Sequence, residues 1–171
     1  MKYNIRKATI YDINQIYEIE NLCFNKIDRF SKDFFYLFLL GRKYEIFLVA
    51  TIENTKGEIV IGFIVAYLNS INNYEIATVN VHPEWRRIGA GYNLMLQLEE
   101  AVVIIVPELR NRKMIDTNSE EITIELTVQT ENEAAKNIYH KLEYKQIEVI
   151  PDYYKKGSAG IRMVKKLKIS L

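Results

Sequence analysis

The chain has 171 residues, 23 Lys and Arg against 22 Asp and Glu, a net charge of +1, 49% hydrophobic residues and 26% charged ones. That length suits a single domain, 1–171, with a sizeable core, and the balanced charge argues against nucleic acid as a partner. One cysteine, Cys23, excludes an intramolecular disulfide, and two histidines, His82 and His140, leave no metal site of recognisable spacing.

Residues 1–7 lack an apolar signal core, and the apolar runs fall short of the roughly 20 residues a membrane span needs. A cytoplasmic protein without membrane contact is therefore expected. Residues 2–8 read as a first strand. Asp12 precedes a helical face of Ile13, Ile16, Tyr17 and Ile19 that runs to about Cys23. Ser31 is placed to cap a second helix, apolar nearly all round through Phe34, Phe35, Leu37, Phe38 and Leu39. Such a helix lies on the core, and part of it suits a groove wall. Strands over 45–51 and 58–69 flank the turn cluster Asn54-Thr55-Lys56-Gly57. Gly62, inside the second of these, marks a bulge or a close backbone approach. A third strand over 74–81 follows Asn72-Asn73 and completes an antiparallel meander.

The next stretch carries the chemistry. Val79 and Val81 alternate with Thr78 and Asn80, Pro83 ends the strand, and Arg86-Arg87-Ile88-Gly89-Ala90-Gly91-Tyr92 opens a helix. The first N–H groups of a helix have no intrahelical partner and sit at its positive pole. Gly89 and Gly91 carry no Cβ to block a bulky anion, and two guanidinium groups suit phosphate. The spacing lacks a third glycine for a dinucleotide fingerprint and a Gly-Lys-Ser/Thr ending for an NTPase loop.

Beyond the turn, the helix runs to Val106, where Pro107 is expected to stop it. Residues 107–120 read as polar and irregular. A strand follows over 122–128. A helix begins at Glu131-Asn132, and a strand covers 146–150. Tyr153 to Gly157 reads as a loop, and a closing strand covers 161–167.

The spacing Arg86-x-x-Gly89-x-Gly91 between a strand and a helix resembles motif A of the GCN5-related N-acetyltransferases, the GNAT superfamily. Thr127 to Asn132, with Ala135, Tyr139 and Leu142-Glu143-Tyr144, is similar to motif B, except that Glu143 stands where that motif has glycine. The resemblance implies an α/β (α+β) fold. Its mixed, mostly antiparallel sheet would have about seven strands flanked by about four helices, splayed between the motif A and motif B strands. It also implies acetyl-CoA as cofactor, with contacts from Val79, Asn80 and Val81, from Arg86, Arg87, Ile88, Gly89, Ala90, Gly91 and Tyr92, and from Asn132.

Glu20-x-x-Cys23-Phe24 with Phe30-Ser31, Val81-His82-Pro83 and Tyr153-Tyr154 resemble the RimI-type and archaeal protein N-terminal acetyltransferases. That narrower likeness implies a protein or peptide N-terminus as acceptor, met by Phe24, Tyr153 and Tyr154, in a monomer or homodimer, with association with the ribosome as one implied setting. Tyr139 takes the place of the family's proton donor to sulfur. The base is less defined. The strand position that carries glutamate in RimI-type enzymes is Thr127, and the loop position used elsewhere offers Lys26. Glu75 stands where a third variant has a titratable residue, with Glu125 second. An enzyme acting on a small amine, or a non-catalytic acyl-CoA-binding module, are the alternatives.

Overall fold

The computed structural model describes residues 2–41, 44–55 and 57–169. Its strands are β1 (Asn4–Lys7), β2 (Ile46–Asn54), β3 (Gly57–Ser70), β4 (Asn73–Val81), β5 (Glu121–Gln129), β6 (Lys145–Lys155) and β7 (Ser158–Lys168). Its helices are α1 (Ile13–Cys23), α2 (Lys32–Gly41), α3 (Ala90–Asn111) and α4 (Glu133–Lys141), with short 3-10 turns at Ile10–Asp12 and Pro83–Trp85. The expected turn around Gly57 includes Lys56, which lies outside the described residues. The seven strands form one sheet in the order β1-β2-β3-β4-β5-β7-β6. β4 and β5 run parallel, while β1–β2, β2–β3, β5–β7 and β6–β7 are antiparallel, as a mixed and mostly antiparallel α/β sheet requires.

The chain folds as two compact units. The first takes residues up to Ala66 together with Ala77–Ala101. Ile13, Ile16 and Ile19 recur every three residues along α1, so one face is apolar and buries against Phe47, Val49, Val60, Phe63 and Val65. Phe35 of α2 closes this core, edge-on to Phe63 with ring centroids 5.5 Å apart. The Ser31 hydroxyl accepts the Phe34 N–H at 3.3 Å, so the expected cap forms. α2 is less enclosed than its composition suggests, since Leu37 and Leu40 face solvent.

Gly62 does both things expected of it. The β2–β3 register slips between Ala50 and Thr51, leaving Ile61 as the extra residue on β3. The His82 N–H donates to the Ile61 carbonyl at 2.8 Å. A Cβ on Gly62 would stand 2.9 Å from the Asn80 carbonyl oxygen, so only glycine lets β4 approach here.

The second unit takes Tyr67–Ile76 and the chain from Val102 onward. β4 and β5 are in register from Asn73↔Thr123 to Glu75↔Glu125. Ile122, Ile124, Leu126 and Val128 alternate inward along β5 and are buried with Leu142, Tyr144 and Met163.

Two expectations change, and one departure from the motif finds its conformation. Pro107 does not stop α3, which continues to Asn111. Val102, Val106 and Leu109 are buried at helical spacing, so packing carries the helix on. The carbonyl that proline leaves without a donor belongs to Val103, whose residue is 40% exposed and open to water. Tyr153 and Tyr154 stand on a strand, because β6 reaches Lys155 and pairs Lys155 with Ser158 across a tight turn at Gly157. Glu143 stands where the motif has glycine. It takes φ +67°, the left-handed conformation glycine favours.

Candidate functional site

β4 sets the geometry in the first unit. Thr78 and Asn80 are buried, while Val79 and Val81 are half-buried between them. The Asn80 amide nitrogen donates to Glu20 Oε2 at 2.8 Å and to Thr78 Oγ1 at 3.0 Å. Its side chain is thus committed to the interior, which leaves only its backbone for a ligand. Glu20 is fully buried, and its Oε1 accepts the Phe30 N–H at 2.9 Å. Burial pushes this carboxyl up to about 7, against the opposing pull of the Phe30 and Asn80 hydrogen bonds.

After β4 the chain turns through Pro83–Trp85, where His82 Nδ1 accepts the Glu84 N–H at 3.3 Å and caps the 3-10 turn. His82 is therefore structural. Arg87 has φ +67° and Gly89 φ +88°, so two residues in left-handed conformation bend the chain into α3. The Asn93 N–H closes on the Gly89 carbonyl at 3.0 Å, which makes Ala90, Gly91 and Tyr92 the first turn. Their N–H groups precede any intrahelical acceptor, at the positive pole of a helix of 22 residues. Gly89 is exposed, and a Cβ there would meet only the Tyr3 hydroxyl, at 3.6 Å. Ala90 is buried and holds the helix down, while Ile88, Gly91 and Tyr92 are half-buried. An open, side-chain-poor helix entrance with Arg87 exposed beside it fits a diphosphate.

Arg86 has a different place. Its Nε donates to the Val81 carbonyl at 3.3 Å and its Nη2 to Cys23 Sγ at 3.4 Å. It fastens the exit of β4 to α1. Cys23 Sγ in turn lies 3.6 Å from the Val81 carbonyl. Phe24 is the half-buried residue that ends α1, with its N–H on the Glu20 carbonyl at 3.0 Å.

The second unit brings together a different set. Glu75 and Glu125 are registered neighbours on β4 and β5, both half-buried. The Tyr67 hydroxyl is hydrogen-bonded to the Glu75 carboxylate. Burial first, then that carboxylate, raises the phenol above its ordinary range, with Tyr153 and Glu125 adding to the effect. Asn69 Nδ2 donates to Glu125 Oε1 at 3.3 Å. Tyr67 and Asn69 were missed in the sequence, although a period of two places them on one face of β3. Tyr153 is 45% exposed and stands edge-on to Tyr154, ring centroids 4.9 Å apart. Tyr154 donates its hydroxyl to the Thr127 carbonyl at 2.9 Å. Gly160 makes room for this pair, since a Cβ there would lie 2.6 Å from Thr127 Cγ2 and 3.0 Å from Tyr153.

Tyr139 is 6% exposed on α4, and burial holds its phenol protonated well above the ordinary range. Its ring lies 6.0 Å from that of Tyr144. Asn132 caps α4, its Oδ1 accepting the Ala135 N–H at 3.1 Å. Among the described residues, no group of three His, Cys, Asp or Glu could hold a metal, and no helix is long and apolar enough to cross a membrane.

A sheet of this order, with a strand feeding an open, side-chain-poor helix entrance, points to a class. Residues 13–104 match the model of the acetyltransferase (GNAT) family, and the chain belongs to that family. It is 26% identical over 177 residues to an N-alpha-acetyltransferase of Sulfurisphaera tokodaii, covering 97% of this chain and 94% of that protein. The fold is similar to Ard1 from Thermoplasma volcanium, with TM-score 0.75, 23% identity and coverage of 98% and 99% of the two chains. It is also similar to Arabidopsis thaliana NAA60 in complex with acetyl-CoA, with TM-score 0.78, 14% identity and coverage of 97% and 99%.

Proposed function

We propose that this acetyltransferase uses acetyl-CoA to acetylate the α-amino group of a protein or peptide N-terminus. The observation that carries the reading is the Arg87–Tyr92 turn, with left-handed Arg87 and Gly89 opening onto the first turn of α3. The relative named N-alpha-acetyltransferase supports the choice of acceptor, because it matches along nearly the whole chain.

Bound acetyl-CoA supplies an activated thioester, so the chemistry needs no metal and no covalent enzyme intermediate. The chain's own residues have four tasks. N–H groups of Ala90, Gly91 and Tyr92, with the Arg87 guanidinium, hold the diphosphate. Backbone groups of Val79, Asn80 and Val81 lie along the cofactor's arm, and Asn132 meets it from the start of α4. Glu75, held by the Tyr67 hydroxyl, takes the surplus proton of the α-amine through a water, with Glu125 beside it on the next strand. Tyr139, kept protonated by burial, donates toward the departing sulfur. Phe24, Tyr153 and Tyr154 border the acceptor.

The test is acetyl-CoA turnover against N-terminal peptides, with α-blocked lysine peptides and spermidine as controls. Activity on free α-amines is expected. Equal rates on α-blocked lysine peptides would overturn the N-terminal reading, and turnover of spermidine alone would favour a small amine. Two carboxylates side by side on adjacent strands are the observation that keeps the small amine in view.

A further inference from the structure

Glu20 is the most deeply buried acid whose hydrogen bonds reach beyond its own element, and the proposed chemistry gives it no task. It organises one segment from both ends. Its backbone carbonyl accepts the Phe24 N–H at 3.0 Å, and its carboxylate Oε1 accepts the Phe30 N–H at 2.9 Å. The 24–30 loop is thereby closed on a single residue. Within the loop, the Asn25 side chain accepts the N–H groups of Ile27 and Asp28 at 2.9 and 3.2 Å, so the segment is compact. The Phe30 ring stacks on Phe34 with centroids 3.9 Å apart. The second carboxylate oxygen takes the Asn80 amide at 2.8 Å, which ties the same residue to the last turn-facing part of β4.

Both oxygens face N–H donors, an arrangement that suits the ionised form. A protonated carboxyl would point its own hydrogen at a donor, and Asn80 would have to turn its amide or give up the bond. Among the described residues, the groups around it offer no stronger partner. β4 presents the neutral Thr78 and Asn80, and the loop presents a peptide N–H. Along α1 the titratable neighbour is Cys23, and the cation, Arg86, is engaged with Cys23 and the Val81 carbonyl. Burial without a cation leaves the carboxyl at about 7, where modest changes of pH alter its charge.

We infer that Glu20 is a positioning residue whose carboxylate clamps the 24–30 loop to β4, and that on protonation the clamp loosens by losing its hydrogen bonds while Glu20 stays buried, so that acceptor binding weakens as pH falls. The effect on the acceptor rests on the proposed function, which sets Phe24 at the acceptor; the clamp itself does not.

The experiment compares wild type with Glu20→Gln, which keeps the size but leaves one acceptor oxygen for two donors, so that the Phe30 and Asn80 bonds can no longer both be made. Amide exchange is measured at Phe30 without ligands, and steady-state acetylation is measured across pH. At pH 8.5, E20Q should lower the Phe30 protection factor and raise the acceptor KM about fivefold each, the ratio expected for one lost hydrogen bond, with kcat little changed. At pH 6 the two proteins should converge, because the wild-type carboxyl is then protonated too. A role in bare stability would lower active fraction at every pH and leave KM alone. Equal Phe30 protection in both proteins at pH 8.5, or a KM ratio independent of pH, overturns the inference. If wild type acetylates no peptide, the functional reading fails, and Phe30 exchange still decides the clamp. If E20Q does not fold, wild type alone carries the test: its Phe30 protection should fall about fivefold from pH 8.5 to pH 6, and a constant value contradicts the clamp.

Discussion

A carboxylate sealed from water must be paired, hydrogen-bonded or neutral, and Glu20 has only the middle course. Its consequence for stability has a definite sign. Unfolded, the group loses its proton near the ordinary value of 4.5, and folded it does so at about 7. Between those values the folded state holds the extra proton, so the contribution is complete below 4.5 and is lost as pH rises through 7. The difference corresponds to about 3 kcal/mol. Wild type should lose about 2–3 kcal/mol relative to E20Q between about pH 5 and about pH 8, measured by urea unfolding. A constant difference would mean that burial does not hold the proton there. For the two candidate proton carriers, Tyr139→Phe should lower kcat about 100-fold. Glu75→Gln should lower it and move the pH profile alkaline, because an α-amine with a reference pKa near 8 must then lose its proton unaided. An unchanged profile would remove Glu75 as the base, and normal turnover in Tyr139→Phe would remove that acid. At this scale the sequence was partly legible. The Arg-x-x-Gly-x-Gly spacing placed the turn, since glycine and arginine act there through backbone shape and charge that spacing alone conveys. Glu20 was visible within a motif but its burial was not, because burial is decided by Phe30 and Asn80, 10 and 60 residues away. The hydrogen bonds of Arg86 to Val81 and Cys23 were not visible in its spacing.

At the scale of elements, the strands and helices were read from periodicity, and the departures occur where tertiary packing or an unusual φ overrides local preference. Pro107 is one. Three buried apolar residues at 102, 106 and 109 outweigh a proline, so Pro107→Ala should stabilise the protein by about 1–3 kcal/mol. A thermal melt measures this, and a lower melting temperature would show that the proline shapes α3 usefully. Glu143 is another, holding a left-handed turn that its side chain does not favour. The end of β6 is a third. Asp152, Tyr153 and Tyr154 continue the strand past Pro151, since an edge strand tolerates proline and β6 is last in the sheet. Gly62 was read correctly because a glycine inside a strand has few other uses. Gly62→Ala should cost about 1–3 kcal/mol, since the clash is with the Asn80 backbone oxygen rather than a movable side chain. It should also disturb the β4 exit. Unaltered stability would mean that β3 and β4 can separate without loss.

For the molecule as a whole, the proposed roles fall to two sets of residues. One unit carries the glycine turn, the Glu20 clamp and Phe24. The other carries the Glu75–Tyr67 pair, Tyr139 and the tyrosines of β6. The family match spans 13–104, which includes the glycine turn but ends before α4, so the role of Tyr139 rests on its burial and its place on that helix. Everything proposed for the chemistry depends on the helix entrance gripping a diphosphate. The direct measurement is amide exchange and thermal melting with coenzyme A at millimolar concentration. Protection of the amides from Arg87 to Tyr92 and a raised melting temperature are predicted. No shift in melting and no protection at Gly89 would contradict the account.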